Sequence, residues 1–448
     1  MLSMAIVLIL CAALFPFAVR RPQNGVLILA ALLPFHGLNL ISPLPINFWK
    51  EAVVLTVLVA CFFARRQPGR RVAVVPWMWP LALFAIMGTV SALIVYRAAA
   101  VFPIKIALFY VLLAITIIWF PFERRDKDRL ITVLLATGAI SAAYGIVQQI
   151  IGGEGLAAMG YPWNDVIRSA GPLLRSFGTF VQPFPFGLYL MIVLLMCGAA
   201  ALAEPNRKRS IVFWAVSPLL LVGMISSVVR ASYLGLIIGA VIIGLFLFRK
   251  FLKILIFSVV ALLVVSTPIA LVMGASSGIQ SMFSAESFEQ RTEHWTRTIP
   301  FIMTQPFGQG LGTTGASVQR VEKLPTGLHV MYQPDNYYVK ILLELGPMGF
   351  AAFVAVLVVA LMVLRRLIQH ETDQLERAFA GGALGVVAAA CVAATVSTYW
   401  EIFPMDAYFW LILAAAGSVT PDVAAGIRGK AQGAPMPQPV APYTLPSK

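Results

Sequence analysis

Apolar residues in this chain run in long unbroken stretches, and they neither alternate with the period of a half-buried strand nor keep to one helical face. Most stretches reach or approach the ~20 residues that a helix needs to cross ~30 Å of hydrocarbon. The pattern predicts crossings near 2-19, 25-42, 50-64, 75-95, 100-120, 130-152, 180-203, 211-228, 231-248, 254-274, 337-364, 378-398 and 405-419. Pro34 and His36 interrupt the second of these, and 50-64 is barely long enough. The expected fold is therefore an all-α polytopic membrane protein of 12-13 transmembrane helices, with a large extracytoplasmic loop carrying short helices.

Composition agrees with a bilayer as the solvent. The 448 residues are 60% hydrophobic and 12% charged, with a mean hydropathy of +0.87, whereas soluble domains carry about 25% charged residues. The net charge of +14 would suggest nucleic acid on a soluble protein, but its distribution points elsewhere. Of the 33 basic residues, 22 fall in seven clusters: 20-21, 65-71, 124-129, 207-209, 249-253, 365-377 and the tail from 428. Two apolar stretches separate each cluster from the next, so all seven share one face, which the positive-inside rule assigns to the cytoplasm. The N-terminus is then outside and the C-terminus inside. The excess charge is accounted for by topology, and nucleic acid drops out as a partner.

The remaining 11 basic residues, including Lys50, Lys105, Arg168, Arg175, Arg230, Arg291 and Lys340, go against that bias and fall in or near outward-facing chain. Two outer segments are long, about 153-179 and 275-336, and divide the chain. Residues 1-274 form an N-terminal set of crossings, 275-336 the large outer loop, 337-419 the C-terminal crossings, and 420-448 a disordered cytoplasmic tail rich in Ala, Gly and Pro. Within the large loop, 286-303 mixes charges with apolar residues and predicts an amphipathic helix across the mouth of the bundle. The first stretch, 2-19, has its arginines after the apolar run rather than before it, the wrong polarity for a cleaved signal peptide. Cys11, Cys61, Cys197 and Cys391 are scattered singly and read as packing residues.

Two outward runs carry candidate chemistry. Arg230 lies in the tight connection Ser226-Ser-Val-Val-Arg230-Ala-Ser-Tyr, where it either snorkels to the interface or offers bidentate hydrogen bonds to phosphate. In Gln333-Pro-Asp-Asn-Tyr-Tyr-Val-Lys-Ile-Leu-Leu-Glu344, a helix would align Asn336, Lys340 and Glu344 on one face, with Glu344 about 12 Å below Asn336. Such a stripe must face the bundle interior. It is either an internal salt bridge or the wall of a polar cavity whose rim, Asp335 and Asn336, carries a base.

Other suggestive strings read as structure. Gly308-Gln-Gly-Leu-Gly-Thr-Thr-Gly315 lacks the ending of a phosphate loop and reads as a flexible turn. Asp126-Lys-Asp128 reads as a solvated loop within a basic cluster. The histidines His36, His294, His329 and His370 show no ligand spacing, so no zinc centre or other metal is expected.

The outward motifs resemble those of the O-antigen ligase and Wzy-type polysaccharide polymerase superfamily over about 175-349. The matching elements are Arg175-Ser-Phe-Gly-Thr-Phe-Val-Gln-Pro; Val229-Arg230-Ala231 opening a crossing; Arg291 with Trp295, Pro306 and Gly308-Gln-Gly310; and Asp335-Asn336 followed by nine residues and Gly346. Aspartate replaces the ligase histidine at 335, and the Ser and Gly that usually flank the arginine at 230 are absent. The resemblance implies a metal- and cofactor-independent, inverting membrane glycosyltransferase at the outer face of the bacterial cytoplasmic membrane. Its substrate would be an undecaprenyl-diphosphate-linked oligosaccharide, with membrane lipids and other polysaccharide assembly proteins as partners. Arg230 and Arg291 would hold the diphosphate, and Asp335 would take the acceptor's proton. Arg175, Arg168, Asn336, Lys340 and Glu344 would line the substrate site. Loss of the histidine favours a polymerase of repeat units over a ligase. A transporter or flippase and a non-catalytic assembly partner are the competing readings; the paired broken helices of transporters are not found.

Overall fold

The computed structural model describes residues 2–43, 46, 48–65, 75–170, 173–249, 305–315 and 334–417. The expected crossing at 254-274, the amphipathic stretch at 286-303, Arg291 and the tail lie outside the described residues. The helices are α1 (Leu2–Arg20), α2 (Pro22–Leu32), α3 (Trp49–Phe63), α4 (Met78–Tyr96), α5 (Val101–Leu108), α6 (Val111–Trp119) and α7 (Arg124–Ala158). They continue with α8 (Pro183–Ala203), α9 (Lys208–Ser226), α10 (Arg230–Phe246), α11 (Tyr337–His370), α12 (Gln374–Ala393) and α13 (Met405–Gly417). The fold is thus an all-α polytopic membrane protein. Among the described residues, eight helical segments are long and apolar enough to cross a bilayer. The expected crossing at 254-274 is not among the residues so counted, and several other stretches fold as shorter pieces. The stretch 100-120 breaks into α5 and α6, while α3, α10 and α13 have 15, 17 and 13 residues. At Pro34 and His36, the second stretch tightens into a 3-10 turn, Leu33–Leu40.

At one end of the bundle the basic clusters at 20-21, 124-129 and 207-209 meet. Arg21 pairs with Glu123 at 3.1 Å and with Asp126 at 2.9 Å. Arg124 reaches Glu204 at 2.7 Å and Asp373 at 2.9 Å. Arg209 joins Asp128 at 2.9 Å and Glu204 at 2.6 Å, and Lys127 pairs with Glu376. The string Asp126-Lys-Asp128 is therefore no solvated loop. Glu123 and Asp126 form a reciprocal capping box, so the string is the first turn of α7, and each of its charges meets a partner from another helix end.

The centre of the bundle is α8, apolar all round and almost wholly buried, as expected of a helix with no polar face. It packs against α7, α9, α10 and α12. The closest seam is between α10 and α12. A Cβ at Gly239 would stand 2.9 Å from the carbonyl oxygen of Gly385, and one at Gly385 would stand 3.0 Å from that of Gly239. Without a hydrophobic force between helices in lipid, such small-residue contact is what lets backbones approach and dispersion hold them. Gly235 faces Ala389 one turn away, so the two helices run antiparallel.

The segment 305–315 is not a flexible turn. Pro347 has no N–H to give to the carbonyl of Leu343, and Gly346 breaks the helix of α11 with φ 64°, which frees two carbonyls. Gln309 N donates to Leu343 O at 2.9 Å and Gly310 N to Glu344 O at 2.8 Å. On the other side, the Tyr96 hydroxyl donates to Gly312 O at 2.7 Å. Below this, Glu344 Oε1 accepts from Thr314 N at 3.0 Å and from Thr314 Oγ1 at 2.8 Å. Lys340 Nζ donates to Thr314 O at 3.2 Å, pairs with Glu401 at 3.1 Å, and also pairs with Glu344.

Two stability outcomes are expected. Gly239→Leu overpacks the α10–α12 seam and costs about 1–3 kcal/mol, lowering the Tm of the detergent-solubilised protein, while Gly198→Ala, whose added Cβ meets only Phe213 at 3.5 Å, leaves Tm unchanged or raised. Lys340→Met strands Glu344 and Glu401 and costs about 3–5 kcal/mol. Adding Glu344→Met should return part of that loss in denaturant titrations, and equal stability of the single variant and the native protein would disprove the ion cluster.

Candidate active site

At the end of the bundle opposite the ion pairs, the chain after α7 folds back as a small hairpin. Ser169 pairs with Leu174 and Ala170 with Leu173, and Arg175 N donates to Arg168 O at 2.8 Å, so the two arginines stand at its base. A satellite core of Leu156, Tyr161, Val166, Ile167 and Phe177 supports it. Gln148, buried in α7, accepts from Phe177 N and Gly178 N at 3.0 and 2.9 Å and donates to Gly178 O at 2.8 Å. Its side chain completes the backbone pairing that a loop cannot make for itself.

The base of the hairpin docks on the turn between α9 and α10. Ser176 N donates to Ser226 O at 2.9 Å, and Arg175 Nε donates to Ser227 O at 3.3 Å. At the next residue, Val228 has φ 52°, which is costly for a β-branched residue and swings the chain so that Arg230 opens α10. Arg168 and Arg230 are exposed, and Arg175 is half-buried. Burial, followed by repulsion from Arg168 and Arg230, pulls the Arg175 guanidinium below its ordinary pKa, a trend that attraction from Tyr233 partly opposes. Arg175 thus feels two further cations, one across the hairpin and one at the helix start. Val229, the cap of α10, makes no side-chain hydrogen bond to the first turn, and an uncapped first turn adds its own attraction for anions.

Asp335 and Asn336 arrive at the same end. Asn336 caps α11, its Oδ1 accepting from Tyr338 N at 2.9 Å and Val339 N at 3.2 Å. Tyr337 N donates to Ala394 O at 2.9 Å, at the close of α12. Because α10 runs antiparallel to α12 through Gly235 and Gly239, its start at Arg230 comes to that same close. Asp335 is half-buried with φ 44°, a left-handed conformation that Asp tolerates better than most residues.

The structure therefore brings Arg168, Arg175 and Arg230 into one electrostatic group and sets Asp335 and Asn336 at the end of the helix against which α10 lies. Lys340 and Glu344 stand apart from them, one and two turns down α11, fully buried and engaged with Thr314 and Glu401. Their observed partners anchor 305–315. Arg291 lies outside the described residues. Sequence reading missed Thr314 and Glu401; the signal for the latter was a lone carboxylate in the aromatic run Tyr399-Trp-Glu-Ile-Phe403. Among the described residues, no three His, Cys, Asp or Glu side chains gather as metal ligands.

Arginines beside an uncapped helix start suit a ligand with more than one phosphate group, since each guanidinium offers a planar fork of donors. No curated protein matches the chain. Residues 215–354 match the family model Wzy_C, described as O-Antigen ligase, a span that starts within α9 and ends within α11 and includes Arg230, Asp335, Asn336, Lys340 and Glu344. The match, 140 of the 448 residues, falls on helices that build the site and supports a likeness to the O-antigen ligase and Wzy superfamily.

Proposed function

We propose that this protein polymerises oligosaccharide repeat units carried on undecaprenyl diphosphate, at the extracytoplasmic face of the bacterial cytoplasmic membrane. The observation that carries this reading is the grouping of Arg168, Arg175 and Arg230 at the end of the bundle away from the basic clusters. By the positive-inside rule, that end faces out. Nucleotide triphosphates are scarce there, so the free energy must arrive within the substrate, and a glycosyl diphosphate supplies it.

In the reaction, an acceptor hydroxyl attacks the anomeric carbon from the side opposite the diphosphate. The new C–O bond forms as the bond to the phosphate oxygen breaks, and that oxygen keeps the electron pair. Arg175 and Arg230, with Arg291 from the large loop, stabilise the charge that develops on it. Asp335 accepts the proton of the attacking hydroxyl. The products are the lengthened glycan, inverted at the anomeric carbon, and undecaprenyl diphosphate. No step calls on a metal. Arg168 and Asn336 border the bound substrate, and Lys340 with Glu344 hold the floor beneath it. Aspartate at the position where the ligases have histidine supports transfer onto another repeat unit rather than onto lipid A core.

Arg175→Ala and Arg230→Ala should each lower the amount of long polymer in cells by about 10²-fold or more, the usual effect of removing one transition-state donor. Asp335→Asn should retain carrier binding while lowering turnover. With membrane insertion verified for each, undiminished long polymer in all three variants overturns the reading.

A further inference from the structure

A second polar cluster lies at the same end of the bundle, built from elements outside the matched segment. Its members are His36 in the 3-10 turn after α2, Lys50 and Glu51 at the start of α3, Lys105 in α5, Tyr110 before α6, and Asp406 in α13. Lys105 Nζ pairs with Glu51 Oε1 at 2.7 Å. Lys50 Nζ lies 3.7 Å from the centre of the Phe403 ring, which also meets His36 at 5.0 Å and Tyr110 at 5.5 Å between centroids. Trp49 lies 6.2 Å from His36. Asp406 is within electrostatic reach of Lys50 and Tyr110.

Ionisable side chains from five separate elements seldom gather inside a bilayer protein without a function, and three observations narrow what this group could bind. Polar capacity is left over: His36 Nδ1, Glu51 Oε2 and the Tyr110 hydroxyl are buried without a hydrogen-bond partner among the described residues. Depth is graded, since Phe48, beside Lys105, is 68% exposed at the rim, whereas Tyr110 and Asp406 at the floor are 7% and 5% exposed. Lys105 and Glu51 already neutralise each other, and Lys50 lies against the Phe403 ring. An anion would meet the Glu51 carboxylate, and a cation would meet Lys50 and Lys105. A neutral ligand with many hydroxyls would satisfy donors and acceptors together and lay its C–H faces on the rings of Trp49 and Phe403.

The cluster also adjoins the arginine site. The 3-10 turn that carries His36 is bonded to the chain just after Arg175: Gly37 N donates to Thr179 O at 2.9 Å, and Thr179 Oγ1 donates to Pro34 O at 2.8 Å.

We propose that Glu51, Tyr110, His36 and the Trp49 and Phe403 rings form a saccharide subsite that seats a neutral pyranose of the acceptor glycan beside the arginine site. This rests on the transfer reaction proposed above, which needs an acceptor held apart from the diphosphate. The test uses the full chain in lipid nanodiscs and equilibrium dialysis against two probes: a panel of short neutral oligosaccharides, and undecaprenyl diphosphate. At least one oligosaccharide should bind the native protein. Tyr110→Phe, which keeps the ring and removes only the hydroxyl, and Glu51→Gln should each weaken it about tenfold, with carrier affinity unchanged. Oligosaccharide affinity equal in native protein and both variants, or no oligosaccharide bound by native protein that does bind the carrier, overturns the subsite. Oligosaccharide binding that responds to both variants, in protein that fails to bind the carrier, supports the subsite and instead counts against the diphosphate reaction.

Discussion

Hydrocarbon does not solvate charge, and most of this molecule is arranged around that constraint. An ionised group here must reach an end of the bundle or find a partner within it. At one end the basic clusters do both: Arg21, Arg124, Lys127 and Arg209 tie the ends of α2, α7, α8, α9 and α12 together with six acidic residues from those ends and the loops beside them. In the interior, Lys340 is tolerated only because Glu344, Glu401 and Thr314 surround it. At the other end Arg168, Arg175 and Arg230 gather around the base of the hairpin and the start of α10.

The same economy governs the backbone. Where α11 breaks at Gly346 and Pro347, its freed carbonyls are taken by amides of 309 and 310, so the glycine-rich string becomes a strap across the helix. Glycine is needed at 308 because a Cβ there would stand 2.4 Å from the backbone of Glu344. The strap, the ion cluster and the cap at Asn336 lie in sequence up one helix, so the position of Asp335 depends on everything beneath it.

Much of this was legible beforehand, and for definite reasons. Long apolar runs have one solution in a bilayer, a helix that satisfies its own hydrogen bonds, so twelve of the thirteen expected crossings coincide with described helical segments. Charge clusters report sidedness because it is written locally, beside each crossing. Reading Asp126-Lys-Asp128 as a solvated loop and Gly308–Gly315 as a flexible turn went astray for a shared reason. Both strings look polar and mobile alone, and both are held by partners that lie far away in sequence, Arg21 and Arg209 for the first, Tyr96 and α11 for the second.

By itself the sequence determined the membrane environment, the helical class, the segregation of charge, and a short set of arginines and carboxylates placed against the topology bias. Only the tertiary structure decided how those residues divide. Arg168, Arg175 and Arg230 form one cationic group, Lys340 and Glu344 a closed anchor, and Lys50, Glu51, Lys105 and Asp406 a cluster that no local pattern announced. Hydrophobicity acts residue by residue and can be summed along a chain, whereas the pairing of charges depends on which helix ends meet, and that was settled by the glycine seam of α10 and α12 and the docking of the hairpin on the α9–α10 turn.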